Sequence, residues 1–168
     1  MMKKMVILLP ALLAGCTVSD AEMRQRYATH YAQPAEYVRV YQQKIQTMSV
    51  EELAVHGAEA DKTRMGGQKR MKIGEYLYVE DVHPQGNRVV FDYSLTPDWF
   101  KQSSTAQLER QHKMQKDLIY RTCSLETVKL AQQKGLEEEH NYYAQYPQKI
   151  AFTLRTSRQI CLQNGFPR

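Results

Sequence analysis

Cys16, Cys123, Cys161 and five histidines are the side chains of this chain best suited to chemistry, and their spacing narrows what that chemistry is. A structural zinc site takes four nitrogen or sulfur ligands, usually from closely spaced pairs. His30, His56, His83, His112 and His140 are scattered, with no second cysteine near any of the three. The histidines are therefore expected at the surface, His83 in a turn and His112 and His140 among polar neighbours. A Gly-x-Ser-x-Gly elbow, a His-Glu-x-x-His pair and a phosphate-cradling loop are all missing from the sequence. Gly66-Gly67 lacks the strand-to-helix context that a phosphate loop requires. Glu137-Glu138-Glu139 reads as a solvated edge strand or helix end, since charged edges oppose aberrant pairing. The expectation is a protein that is not an enzyme, with no catalytic residue, no metal, no cofactor and no evident small-molecule substrate.

Cys16 stands in a different context. Lys3 and Lys4 give a positive start, Met5 to Leu13 form an apolar run broken only by Pro10, and Ala14-Gly15 are small residues before the cysteine. That is the layout of a secretory signal, and the run is far short of the roughly 20 residues a membrane span needs. Leu13-Ala14-Gly15-Cys16 resembles the lipobox of bacterial lipoprotein precursors. The resemblance implies cleavage before Cys16 and a diacylglyceryl group on its thiol. An ordinary cleaved signal followed by an incidental cysteine is the alternative. Thr17, in place of the aspartate associated with inner-membrane retention, points to the outer membrane, with the domain facing the periplasm.

Cleavage there removes two lysines, so the net charge falls from +5 to about +3 over 153 residues. That is one domain with its own core. A weakly basic, exported domain gives no reason to expect a nucleic-acid partner. With Cys16 committed to lipid, Cys123 and Cys161 remain in an oxidising compartment and are expected to pair. Closing their 38-residue separation stabilises a fold by about 4 kcal/mol in the chain-entropy account.

The elements that position these residues follow from caps and periodicity. Ser19 with Glu22 opens a helix to about Tyr31, and Pro34 fits the first turn of a second. In that second helix Tyr37, Val40, Tyr41, Ile45 and Met48 form one apolar stripe, either core or a partner-binding face. Ser49 with Glu52 starts a short third helix to about His56. Gly57 to Lys72 then reads as a mobile basic connector carrying Lys62, Arg64, Lys69, Arg70 and Lys72, with anionic lipid as a candidate contact. Lys72–Val82 and Arg88–Leu95 read as a hairpin turned by residues 83–87, and Val89, Phe91, Tyr93 and Leu95 share one face. Ser104 with Gln107 caps a long helix to about Thr122; a second runs from Leu125 to Lys134 and stops at Gly135. Leu136–Tyr146 and Lys149–Ile160 form the last strand pair.

The expected fold class is α+β: N-terminal helices, then a ββααββ core with an antiparallel sheet covered by helices. Its divisions are a signal at 1–15, a lipid-anchored helical segment with basic connector at 16–72, and the α+β domain at 73–168. The pattern Arg121-Thr122-Cys123, Leu130, Gly135, Tyr142-Tyr143, Ile150, Phe152, Cys161 resembles the beta-type pilotin lipoproteins of type II secretion systems. It is equally similar to small quorum-regulated virulence-factor domains. The resemblance implies a binding role in the envelope and carries over no functional residue.

Eleven tyrosines against four phenylalanines suit surfaces with one buried and one wet end. Tyr37, Tyr41, Trp99 and Phe100 are the candidate partner surface, although the Trp99-Phe100 pair equally fits a buried plug. The leading expectation is a lipoprotein, held to the membrane at Cys16, that binds another envelope protein, as an assembly or targeting factor for a secretion or conjugation channel. An exclusion or virulence lipoprotein and a periplasmic enzyme are the alternatives.

Overall fold

A computed structural model describes residues 18–167. The signal segment 1–15, Cys16 and Thr17 lie outside the described residues. The elements are α1 (Asp20–His30), α2 (Ala35–Ile45), α3 (Val50–Arg64), β1 (Met71–Lys72), β2 (Leu77–Gln85), β3 (Arg88–Leu95), α4 (Pro97–Phe100), α5 (Ser104–Ser124), α6 (Glu126–Gln133), β4 (Glu137–Gln145), β5 (Lys149–Thr156) and α7 (Arg158–Gln163). This is an α+β fold, with helices packed on a five-stranded sheet of order β1-β2-β3-β4-β5.

The helix starts are chemical. The Ser19 hydroxyl accepts from the Glu22 amide at 3.2 Å. Ser49 and Glu52 exchange both bonds of a capping box, at 3.1 and 2.7 Å. The long helix α5 is capped one residue earlier than the Ser104-Gln107 spacing predicts: Ser103 accepts from the Ala106 amide, and the Gln107 amide side chain turns back to the Gln102 carbonyl. Gly135, at φ 97°, lets the chain leave α6 in the left-handed region.

Helix α3 runs eight residues past the expected stop at His56. Gly57 is a packing glycine rather than a terminator: a β-carbon there would stand 2.9 Å from Val89 Cγ2, so its absence lets α3 lie close on β3. The expected mobile connector is thus helix to Arg64, and Gly66 and Gly67, both at positive φ, end it. Three of its five cations are held in ion pairs, Lys62 with Asp81, Arg64 with Asp61 and Arg70 with Glu80. Arg70 also lies 4.1 Å above the Tyr78 ring.

The sheet is mixed, not wholly antiparallel. Strands β3 and β4 are parallel, with Arg88 opposite Glu137 and Ser94 opposite Tyr143, while every other pairing is antiparallel. The cause is the connection. Helix α5 has 21 residues and carries the chain about 31 Å back to where β3 began, so β4 starts beside β3 and runs with it. Both faces of the sheet centre are consequently shielded. Val89, Tyr93 and Leu95 face the helices, while Val90 and Asp92 are buried on the other side.

One core gathers Ile45, Leu53, Ala54 and Ala58 from the N-terminal helices with Val79, Val82, Tyr93, Leu95, Trp99, Leu118, Tyr142 and Leu154. A second cluster, Ile119, Tyr120, Cys123, Cys161 and Phe166, is packed by Met23 and Tyr27 of α1. Cys123 and Cys161 form a disulfide with Cα atoms 5.5 Å apart. Strand β5 ends at Thr156, four residues before the expected Ile160. Ser157 then caps α7, so the disulfide ties α5 to a short helix instead of to the last strand.

Candidate functional site

An apolar cleft of about 280 Å³ opens between the segment entering β2 and the first half of α5, lined by Gly74, Glu75, Tyr76, Leu77, Trp99, Arg110, Lys113 and Met114. Each wall has a local cause. Thr96 bonds back to the segment before β2, its amide to the Tyr76 carbonyl at 2.9 Å, which places Tyr76 beside the end of β3. Pro97 starts α4 directly after β3, and this one-turn helix turns Trp99 inward. Trp99 is 2% exposed, edge-on to Tyr76 at 6.1 Å and tilted against Phe152 at 5.7 Å. It forms the floor. From α5, the Arg110 guanidinium lies 4.6 Å above the Tyr76 ring, while Lys113 and Met114 complete the wall on the same helical face. Loss of water, followed by the neighbouring Glu75, pushes the Tyr76 hydroxyl above its ordinary pKa. A cleft with an aromatic floor and a cationic rim suits an apolar side chain presented beside a carboxylate.

The four residues expected to form a partner surface are not brought together. Trp99 is the cleft floor, while its neighbour Phe100 is 47% exposed. Tyr37 and Tyr41 lie on α2, whose principal neighbour is α6. There Tyr37 is exposed and Tyr41 packs partly against the core, where burial raises its hydroxyl pKa. Trp99 was the legible signal for the cleft. Arg110, Lys113 and Met114 sit at helical spacing on an otherwise polar helix, and nothing local in the sequence pairs them with residues 74–77.

Two polar expectations are corrected. His140 is buried, not exposed. It stacks on Phe91 at 4.5 Å, its Nδ1 lies 3.0 Å from the Tyr93 hydroxyl, and its Nε2 is 3.5 Å from Glu138. His83 belongs to β2 rather than to a turn, with Nδ1 3.6 Å from Asp92 and 3.8 Å from Asp81. The glutamate run is not a solvated edge, because β4 is an interior strand. Glu139 is held between Arg88 and Arg155, and Glu138 accepts from Thr122 at 3.2 Å. Hydrophilic residues in a central strand are tolerated here because the Glu138 and Glu139 carboxylates each meet a donor. Among the described residues no group of three or more His, Cys, Asp or Glu side chains is arranged to hold a metal ion. Among them, too, no helix is long and apolar enough to cross a membrane.

The chain matches no known protein family, and no curated protein resembles it in sequence. A solved structure does share its fold. A Pseudomonas aeruginosa crystal structure described as a secreted protein aligns with TM-score 0.50 at 12% identity, over 67% of this chain and 96% of its own. The type 2 secretion pilotin EpsS from Vibrio vulnificus aligns at TM-score 0.48 and 14% identity, over 67% and 91%. The type II secretion pilotin AspS from Vibrio cholerae aligns at 0.46 and 13%, over 67% and 92%. At these identities the likeness concerns the fold alone.

Proposed function

We propose that the chain is an outer-membrane lipoprotein, anchored at Cys16 and facing the periplasm, that captures a segment of another envelope protein. The observation that carries the binding half is the cleft between residues 74–77 and α5. Its floor is Trp99, its wall Tyr76, Leu77 and Met114, and its rim Arg110 and Lys113. Aromatic and methionine side chains with arginine are the composition of protein-binding surfaces. The sequence at Leu13-Ala14-Gly15-Cys16 supports the anchored half, since more than one acyl chain on a residue gives stable attachment.

The concrete form of this reading is pilotin-like: a small anchored factor that assembles or targets a secretion channel. The spacing from Arg121 through Gly135 to Cys161, with its resemblance to beta-type pilotins, supports it. In this role the protein performs no covalent chemistry. It holds a partner's apolar side chain out of water, the rim cations select an acidic flank, and the lipid anchor sets where the complex forms. Two experiments test the two halves. Replacing Cys16→Ser should move the protein from the membrane to the soluble periplasmic fraction; persistence in the membrane contradicts the anchor. Crosslinked pull-down from intact envelopes should recover an envelope channel protein, and recovery of none contradicts the partner.

A further inference from the structure

The exposed apolar side chains are not spread evenly over the molecule. Of the ten large ones among the described residues, the topology brings five, Ile73, Phe100, Leu108, Tyr146 and Ile150, to one end, each 37–53% exposed. Because β3 and β4 are parallel, the segment after β3 that carries Phe100 lies beside the Tyr146 turn after β4. Ile150 opens β5 next to that turn, opposite Tyr143. Ile73 precedes β2, whose Leu77 pairs with Leu95 at the end of β3. Leu108 is in the early turns of α5, which start from the same end. Lys72, Lys113 and Lys149 are exposed around these residues. Contiguous exposed apolar surface on a monomeric domain marks an interaction site.

The N-terminal tether points to this end. Asp20, the first residue of α1, is ion-paired to Lys116 of α5 at 2.8 Å, and that ammonium holds the Asp20 carboxyl below its ordinary pKa. Tyr27 bonds Asp117 at 2.6 Å and packs on Tyr120, so α1 sits on the Lys116–Tyr120 turn of α5, and Gln33 beyond its end reaches Thr127 of α6 at 3.0 Å. The described chain thus starts beside Lys116, in the second half of α5. Leu108 is about 12 Å of helix before Lys116. The four residues from Cys16 to Asp20 reach at most about 14 Å. A lipidated Cys16 cannot hold the domain far from the bilayer, and a tether of that length from Lys116 spans the stretch of α5 back to Leu108.

We infer that this end of the molecule rests on the lipid interface of the membrane to which Cys16 is anchored, with Phe100, Leu108 and Ile150 among the headgroups and Lys72 and Lys149 at the lipid phosphates. The inference rests on the anchored reading of Cys16 and adds an orientation to it. Apolar side chains flanked by lysines are the chemistry of interfacial contact. The cleft, lined by Trp99 of the same α4 segment, then opens close to the membrane surface.

The test uses the acylated protein, reconstituted in phosphatidylethanolamine–phosphatidylglycerol vesicles and labelled with an environment-sensitive fluorophore at single introduced cysteines. Positions Phe100→Cys, Leu108→Cys and Ile150→Cys report the proposed face. Val40→Cys and Val55→Cys are exposed apolar controls elsewhere: α3 begins beside Gly135 and passes Val89, at the opposite end of the sheet. Labels at 100, 108 and 150 should brighten severalfold, shift to the blue and be quenched by brominated lipid, and those at 40 and 55 should do none of these. Flotation with the vesicles reads the anchor separately. Flotation with all five labels in water overturns the orientation alone and assigns these residues to a protein partner. Failure to float overturns the anchor and the orientation together.

Discussion

Asp92 is the residue at which burial and charge conflict most. It is 5% exposed at the sheet centre, 3.3 Å from the Asn141 amide and 3.6 Å from His83 Nδ1. Loss of water raises its carboxyl pKa, and Asn141, His83 and Tyr143 offset only part of that. A folded pKa above the unfolded value means the folded state binds the proton more tightly. The contribution of Asp92 to stability is therefore fully present below the unfolded value of 3.8 and is lost as pH rises through the folded one. Asp92→Asn keeps the acceptor for Asn141 without the buried charge. Urea denaturation at about pH 7 and about pH 4 should show the wild type gaining on the variant upon acidification; a constant difference contradicts the assignment. Trp99 is the opposite case, a fully apolar site with few ways to collapse. Trp99→Ala should cost about 3–5 kcal/mol in the same assay. The type of each residue was legible in the sequence, but its environment was not. His140, between Glu139 and Asn141, reads as surface until Phe91 and Tyr93 of a neighbouring strand stack on it.

Among the elements, those that announce themselves chemically were readable. Serines before α1, α3 and α5, Gly135 after α6 and the alternation of β3 each state a local rule, and the structure follows them to within a residue or two. Ser49→Ala should cost about 1 kcal/mol by removing a capping-box bond, measurable as a lower melting temperature. Two elements were hidden because tertiary contacts decide them. Gly57 looks like a helix stop until Val89 occupies the space its β-carbon would need. The acidic start of β4 looks like an edge until Arg88 and Arg155 meet Glu139 from strands on either side. The disulfide belongs to this scale as well. Cys123 and Cys161 join α5 to α7 beneath α1, whose Tyr27 packs on Tyr120. Replacing both cysteines by serine should cost about 2–5 kcal/mol. Hydrogen exchange should then speed first in α7 and α1, while the sheet stays protected; uniform loss of protection contradicts this local role.

At the scale of the whole molecule, the decisive feature is the parallel contact of β3 and β4. It sets the ends of β3 and β4 side by side, next to the cleft that the β2–β3 pairing, α4 and the start of α5 assemble from residues 74–77, Trp99 and residues 110–114. The ββααββ order was readable from the chain, but whether the second hairpin returned parallel or antiparallel was not, because only the length and direction of α5 settle it. The same return brings the exposed Phe100, Leu108 and Ile150 to one end of the molecule. The account thus stands on one claim, that an anchored domain holds a partner segment over Trp99. A photo-crosslinking residue in place of Lys113, used in intact envelopes, tests it most directly. The account predicts an adduct with an envelope channel protein that Met114→Arg, which fills the cleft, abolishes without releasing the protein from the membrane. An adduct that persists undiminished in the Met114→Arg protein, or none with any envelope protein, would contradict it.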